Sequence, residues 1–258
     1  RFLYCPSAQR PTVAALAAAK VKLWPQARMD YRGLVANREL PAPGGTIVLF
    51  HGNGGTALDR DFYLKPLTEL GFRVILAEYP RYGGRPGKVG EKFFVADALE
   101  TVRLAHQQYG DPLYMLGESL GCGVAAAVAQ QTPTTLAGII LITPWDTLAN
   151  VAKTMFPFLP VHLLLTDKYD SSSNLQLFPG KIAVVGAQRD AILPIRLAQN
   201  LYAALPEGKK RLWIIQGAGH NDWPMHVDRS FWDEIACHVS SCRMPTPADP
   251  ERRGKVGV

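Results

Sequence analysis

The sequence predicts an α/β fold with a doubly wound, mostly parallel sheet, and two patterns carry this prediction. Short, continuously apolar runs rich in β-branched residues recur along the chain, which is typical of strands buried on both faces of a parallel sheet. Helix-length segments separate these runs, so that strand and helix alternate. The chain has 258 residues, 47% hydrophobic and 19% charged, which is enough apolar material for one large core. We therefore expect one domain over residues 1–258.

The pattern assigns each element in turn. The predicted buried strands are 46–50, 73–77, 112–117, 138–142, 182–186 and 211–215. Two earlier segments, near 22–24 and 31–36, predict additional edge strands. The predicted helices are 60–70, 92–109, 120–131, 196–204 and 229–239.

One connection is too long for a simple turn. Residues 143–179, between the sixth and seventh predicted strands, contain four prolines and the apolar stretch 155–165. A connection of this length in a compact α/β domain is usually a lid or an insertion. We expect residues 144–179 to form a short cap insertion, which either roofs a hydrophobic pocket or packs on the sheet edge. The Pro- and charge-rich residues 243–258 are expected to form a flexible tail.

Charge and cysteine content narrow the function classes. The formal net charge of +6 is scattered along the chain, and no aromatic residues interleave with its basic stretches, so no nucleic-acid partner is expected. No apolar run reaches the roughly 18 residues of a membrane span. The four cysteines form neither a disulfide scaffold nor the paired pattern of a zinc site. Whether Cys237 and Cys242 are bridged, as an export compartment would allow, stays open.

A G-x-S-x-G motif occupies Gly117–Gly121, between a predicted strand and a predicted helix rich in alanine and valine. This context is typical of a nucleophile elbow, where a serine lies on a tight strand-to-helix turn. Glycines on both sides let the neighbouring chain pass without clashing with a Cβ atom. Ser119 is therefore the candidate nucleophile. Cys122 is expected to pack in the core.

A glycine-rich turn, residues 50–55 (FHGNGG), follows the first buried strand. It lacks the lysine of a P-loop and the spacing of a dinucleotide site, which argues against a phosphate cradle. As an oxyanion loop it would pair the backbone N–H of Asn53 with that of Leu120 around a developing negative charge. His51 is expected to hold the shape of this loop by hydrogen bonds.

The candidate base and acid both follow predicted strands. His220 lies in a small-residue loop after the last strand, at the edge where α/β sites form. Asp190 follows the strand 182–186 and would orient the imidazole. Asp146, after the strand 138–142, is the alternative acid. Asp222 is expected on the surface or at a helix cap.

These motifs together resemble the α/β-hydrolase superfamily, in its serine-hydrolase branch with a small cap. The resemblance rests on residues 51–54, Gly117–Gly121, the turn 188–190 and residues 219–222, and the chain order serine, acid, histidine is the order found in that superfamily. It extends from about residue 31 to residue 239. Within the superfamily the chain is similar to bacterial esterases and to acyl-protein thioesterase and lysophospholipase-like members.

The resemblance also implies a place in the cell. Members of this group often carry an N-terminal hydrophobic anchor, and the chain begins at Arg1. The resemblance therefore implies that a segment preceding Arg1 could hold the protein at a membrane surface. An exported or membrane-anchored location stays open.

The motifs predict a serine hydrolase that cleaves carboxylic esters or thioesters of short to medium acyl chains through an acyl-enzyme, with a small-molecule acyl substrate and without a metal or organic cofactor. Two alternatives stay open. One is a peptidase or amidase of the prolyl-oligopeptidase type, although the large accessory domain usual in that group is missing from the sequence. The other is a non-catalytic binding module that keeps the hydrolase fold.

Overall fold

Eight strands form the larger of two sheets in the described part of the chain, and the order of these strands sets where the functional loops meet. The computed structural model describes residues 3–25, 31–38, 40, 43–132 and 136–240. In chain order the strands are β1 (Cys5–Pro6), β2 (Val21–Trp24), β3 (Gly33–Ala36), β4 (Thr46–Phe50), β5 (Gly54–Gly55), β6 (Arg73–Ala77), β7 (Leu113–Glu118), β8 (Leu136–Ile142), β9 (Lys181–Ala187) and β10 (Lys210–Ile215).

The larger sheet has the order β10-β9-β8-β7-β4-β6-β3-β2, and β1 pairs separately with β5. β3 runs antiparallel to both of its neighbours, β2 and β6, and the other neighbouring strands pair in parallel, so the sheet is mostly parallel, as predicted. The carboxyl ends of β4, β7, β8, β9 and β10 therefore meet at one edge. This is the edge at which open α/β sheets place their ligands.

Helices cover both faces of this sheet. They are α1 (Val13–Ala18), α2 (Leu64–Glu69), α3 (Glu91–Tyr109), α4 (Leu120–Gln131), α5 (Leu148–Met155), α6 (Val161–Leu164), α7 (Ser171–Asn174), α8 (Arg196–Ala204) and α9 (Arg229–Ser240). Two 3-10 helices, Ala57–Tyr63 and Trp223–His226, lie in connections. The six predicted buried strands and both edge strands are confirmed, with ends shifted by up to two residues. The predicted helix 60–70 is partly wrong, because its first half belongs to a 3-10 turn.

The continuous apolar runs follow from burial on both faces. In β4, Val48 and Phe50 belong to one hydrophobic cluster, whereas Ile47 and Leu49 belong to a second cluster on the opposite face. Successive strand residues point to opposite sides, so every position in such a strand must be apolar. The first cluster includes α4 residues and the second includes α9 residues.

Helix α4 packs unusually close to the sheet, because its first turn is built from small residues. A Cβ atom added at Gly121 would lie 1.9 Å from the carbonyl oxygen of Phe50, at the end of β4. Residues from Leu120 to Ala129 are all buried. Glycine at position 121 thus permits the approach of α4 to the backbone of β4.

The connection 143–180 leaves β8 and returns to β9, the sixth and seventh strands of the larger sheet. It contains α5, α6 and α7. That this connection forms a cap stays a prediction. The predicted tail 243–258 and Cys242 lie outside the described residues. Among the described residues, no helix is long and apolar enough to cross a bilayer.

The contact at Gly121 predicts a large loss of stability on substitution. Gly121→Ala should lower the free energy of unfolding by about 2–3 kcal/mol or more, because the added methyl group meets rigid backbone. Urea denaturation of purified protein measures this loss. Gly44→Ala is the matched control, because its Cβ would meet only one atom, at 3.9 Å, and should change stability by less than about 0.5 kcal/mol. Equal effects of the two substitutions would contradict the packing argument.

Candidate active site

Ser119 lies on a strained turn between β7 and α4. Its backbone φ is +53°, a left-handed conformation that residues other than glycine rarely adopt. Its N–H donates to the carbonyl oxygen of Ile142, at 2.9 Å. A Cβ atom at Gly117 would lie 2.6 Å from the carbonyl oxygen of Gly121. The two glycines of the motif are therefore required by the tightness of the turn, as the sequence predicts.

His220 and Asp190 meet Ser119 at the carboxyl edge of the sheet. The Nε2 atom of His220 lies 3.1 Å from Oγ of Ser119, across 101 residues of sequence. Its Nδ1 atom lies 2.6 Å from Oδ2 of Asp190. The structure thus brings together the three residues that the sequence analysis selected.

The Asp190 carboxylate is fixed by its own turn. Its Oδ1 atom accepts hydrogen bonds from the N–H groups of Ile192, at 2.9 Å, and Leu193, at 2.7 Å. The side chain of Asp190 is 1% exposed, and that of His220 is 11% exposed. A buried carboxylate held in this way fixes the ring orientation of its histidine partner.

Asp146, the alternative acid, serves the connection after β8. Its carboxylate accepts hydrogen bonds from the Thr147 N–H and from the side-chain amide of Asn150. Its backbone carbonyl accepts from the N–H of Ser171. These bonds close the base of the connection 143–180 and leave the contact with His220 to Asp190.

The loop after β4 approaches the nucleophile closely. A Cβ atom at Gly52 would lie 3.5 Å from the Cβ atom of Ser119. Within the described part of the chain, the backbone N–H groups of Asn53 and Leu120 have no protein acceptor. Two donors without an internal partner beside a serine can bind the oxygen of a reacting carbonyl group.

A buried pair beneath this loop sets its shape. Nε2 of His51 lies 2.9 Å from Oε1 of Glu78, and both side chains are fully buried. Nδ1 of His51 lies 2.7 Å from the carbonyl oxygen of Gly52, and Glu78 also accepts from the Ala57 N–H, at 2.9 Å. His51 therefore holds the loop, as predicted. Glu78, which follows β6, has no motif that would mark it in the sequence.

The N-terminal segment supports the same loop from outside. β1 pairs in parallel with β5, and the Cys5 N–H donates to the carbonyl oxygen of Asn53, at 3.1 Å. The Tyr82 hydroxyl donates to the same oxygen, at 2.7 Å. Sequence analysis missed this contact, because a two-residue strand gives no periodic signal.

Glu118, immediately before the candidate nucleophile, joins the elbow to the loop. Its carboxylate lies 2.8 Å from Nη2 of Arg60 and accepts a hydrogen bond from the Tyr63 hydroxyl, at 2.9 Å. Burial, together with the charge of Glu118, raises the pKa of Tyr63 well above its usual range, so this hydroxyl stays a donor. Arg60 also donates to the carbonyl oxygen of Gly54, at 3.4 Å.

Two other predicted residues have structural contacts. Cys122 is fully buried, its thiol lies 3.1 Å from the carbonyl oxygen of Gly117, and burial raises its pKa. The prediction that it packs in the core is confirmed. Asp222 accepts a hydrogen bond from the N–H of Gly219, at 2.6 Å, and so shapes the loop that carries His220.

Comparison with known proteins agrees with this architecture. Residues 45–161 match the family model described as the alpha/beta hydrolase fold. An uncharacterized protein of Mycobacterium tuberculosis is 33% identical over 241 residues, which cover 91% of this chain and 85% of that protein. The chain belongs to the alpha/beta hydrolase family. It is a hydrolase of this type, and the predicted fold class is confirmed.

Two further relatives are more distant. The lysophosphatidylserine lipase ABHD12 of Danio rerio is 28% identical over 185 residues, which are 63% of this chain and 48% of that lipase. The chain thus spans about half the length of that protein. An esterase of Pyrococcus furiosus has a similar structure, with a TM-score of 0.63, 14% identity and coverage of 93% and 98% of the two chains. This last likeness concerns the fold alone.

The buried pair beneath the loop generates a stability prediction for this hydrolase. Glu78→Gln should lower the free energy of unfolding by about 3 kcal/mol, because it removes the charged partner of a fully buried side chain. Guanidinium denaturation followed by tryptophan fluorescence measures the change.

Glu100→Gln is the control, because the side chains of Glu100 and its partner Arg103 are 38% and 51% exposed. Its effect should stay within about 1 kcal/mol. If the two variants were equally stable, Glu78 would have no special part in holding the loop.

Proposed function

We propose that this protein is a serine hydrolase of carboxylic esters or thioesters with short to medium acyl chains, acting through an acyl-enzyme. The observation that carries the proposal is the continuous hydrogen-bonded line from Oγ of Ser119 through His220 to the buried Asp190. A nucleophile, a base within reach of its proton and a group that orients the base are the parts that covalent acyl transfer requires.

In the first step, Oγ of Ser119 forms a bond to the carbonyl carbon of the substrate, and the hydroxyl proton moves to Nε2 of His220. The carbonyl π electrons move to oxygen, which becomes an oxyanion. The backbone N–H groups of Asn53 and Leu120 donate to that oxygen. Asp190 stabilises the imidazolium formed at the same time.

In the second step, the oxyanion collapses and the bond to the leaving group breaks. His220 returns its proton to the departing alkoxide or thiolate. Water then attacks the acyl-enzyme with His220 again as base, which releases the carboxylic acid and restores Ser119. The negative charge is transferred only among oxygen or sulfur atoms of the substrate and water, so these steps need no metal or organic cofactor.

The substrate class draws on two kinds of support. The zebrafish relative is named a lysophosphatidylserine lipase, and the similar Pyrococcus structure is that of an esterase. The connection that leaves the carboxyl end of β8 also presents exposed apolar side chains, including Phe158 and Leu163, and its Thr154 accepts a hydrogen bond from Arg196 in the first turn of α8. An acyl chain bound near this edge would contact apolar surface.

Replacement of the nucleophile tests the proposal most directly. Wild-type protein should hydrolyse p-nitrophenyl esters, with an optimum among the short to medium acyl chains, and Ser119→Ala should abolish detectable turnover. A fluorophosphonate probe should add its mass to the peptide that contains Ser119, because only an activated serine reacts rapidly. Turnover that survives in Ser119→Ala, with folding intact, would overturn the serine mechanism.

The two carboxylates give a paired test of the acid. Asp190→Asn should lower kcat by about three to four orders of magnitude, because the histidine loses the charge that orients it. Asp146→Asn should lower kcat by less than about tenfold, because its contacts lie within the connection 143–180. Steady-state kinetics on p-nitrophenyl butyrate, below the melting temperature of each variant, measures both values. The reverse ranking would make Asp146 the acid.

A further inference from the structure

The connection between β8 and β9 exposes an unusual amount of apolar side chain. Met155 is 57% exposed, Phe158 is 97% exposed and Leu163 is 74% exposed. We define the apolar tip as the six large apolar residues exposed in this stretch: Met155, Phe156, Phe158, Leu159, Leu163 and Leu164. Scattered apolar side chains on a surface are ordinary, whereas a concentration of six within ten residues is typical of a site that binds a protein or a membrane.

Hydrogen bonds connect the base of the apolar tip to the rest of the fold. Thr147 and Asp170 form a β-bridge, and the N–H of Leu148 donates to the carbonyl oxygen of Tyr169, at 2.9 Å. Arg196 of α8 donates to the hydroxyl of Thr154, at 2.8 Å. The exposure of the tip is therefore a feature of the folded connection, held from both sides.

Basic side chains lie in and against the connection that carries the apolar tip. Lys153, Lys168 and Arg196 are exposed, and within the described residues none of them has a carboxylate partner. Carboxylates lie near Lys168, since Asp167 accepts from the Tyr4 hydroxyl, Asp170 from the N–H of Ser173 and Glu91 from the backbone N–H of Lys168. By contrast, no acidic residue of the described chain lines the cleft formed by Lys153, Arg196 and Pro157. Unpaired cations around an apolar centre complement an anionic lipid surface.

The shape of the apolar tip favours lipid over a rigid protein surface. Phe158 follows Pro157 in a turn and makes almost no contact with the rest of the chain. A protruding side chain of this kind requires a matching pocket on a protein partner, whereas the acyl region of a bilayer yields around it. The stretch is too short to span a bilayer, so it would lie in the interfacial plane.

We propose that the apolar tip, with Lys153, Lys168 and Arg196, docks the protein on the surface of an anionic bilayer. β8 lies between β7, which leads to Ser119, and β9, which leads to Asp190. Docking through this connection turns the carboxyl edge of the sheet toward the lipid. Docking would bring Ser119 close to esters of short to medium acyl chains that partition into that bilayer, a step that rests on the proposed function.

Vesicle co-sedimentation of the full chain tests the docking. Wild type should bind vesicles of phosphatidylcholine with phosphatidylserine more strongly than vesicles of phosphatidylcholine alone, and salt should weaken this binding. Phe158→Ser combined with Leu163→Ser should reduce the bound fraction at limiting lipid about tenfold or more. Val13→Ser is the control, because Val13 is 84% exposed on α1, beside the edge strand β2.

A second set of variants tests the electrostatic contribution to vesicle binding. Lys153→Glu with Lys168→Glu should weaken binding to the mixed vesicles and leave the weak binding to phosphatidylcholine unchanged. Lys65→Glu on α2, also exposed, makes the same kind of change away from the tip and should have little effect. All these variants should retain wild-type melting temperatures. The variants at Lys153 with Lys168, at Lys65 and at Val13 should also retain wild-type turnover of soluble p-nitrophenyl acetate.

Three results would overturn the docking proposal. In the first, the wild-type protein does not bind vesicles. In the second, the variant at Phe158 and Leu163 binds vesicles as strongly as wild type does. In the third, sedimentation velocity shows self-association that depends on Phe158, and the protein does not bind vesicles. The last result would assign the apolar tip to a second copy of the chain.

These experiments distinguish a failure of the docking proposal from a failure of the proposed function. Ser119→Ala should bind vesicles as wild type does, since the docking residues are elsewhere. A wild-type protein that binds vesicles but hydrolyses no ester would overturn the proposed function and keep the docking surface. A wild-type protein that hydrolyses soluble esters but does not bind vesicles would overturn the docking surface and keep the proposed function.

Discussion

The close approach of α4 to the end of β4 is the constraint on which the rest of the site depends. Because the backbone at Gly121 lies against the carbonyl oxygen of Phe50, the chain between β7 and α4 has room only for a turn with a positive φ at Ser119. That turn lifts the serine side chain out of the sheet edge. It also brings the loop after β4 beside the serine, since both segments share this contact.

Once the elbow is fixed, the remaining parts are placed by loops that hold one another. The acid turn is tied to the histidine loop, because the N–H of Arg189 donates to the carbonyl oxygen of Ala218, at 2.7 Å. On the other side of the serine, the oxyanion loop is held by His51 and Glu78 from below. Short loops joined in this way cost little conformational entropy when a substrate binds, because they are ordered beforehand.

Sequence reasoning predicted the elements whose physical signal is local. Continuous apolar runs marked the strands, and Gly117–Gly121, Asp190 and His220 were found because each follows such a run. Glu78 and the pair of Arg60 with Glu118 could not be found, because their roles depend on contacts across 27 and 58 residues. The same holds for β1, whose two residues gain a strand conformation only from their partner. The exposure of the apolar tip could not be predicted from the sequence either, because an apolar stretch is equally consistent with a buried core segment.

Because β1 pairs with the loop at Asn53, the active site can lose one of its supports while the rest of the fold stays intact. Cys5 and Pro6 are exposed, and a two-residue strand with few buried contacts opens at a far lower free energy than the central sheet. The brace on the loop can therefore open while the core stays intact. Activity would then depend on this local equilibrium, and a ligand that prefers the braced loop would favour the pairing of Cys5 with Asn53.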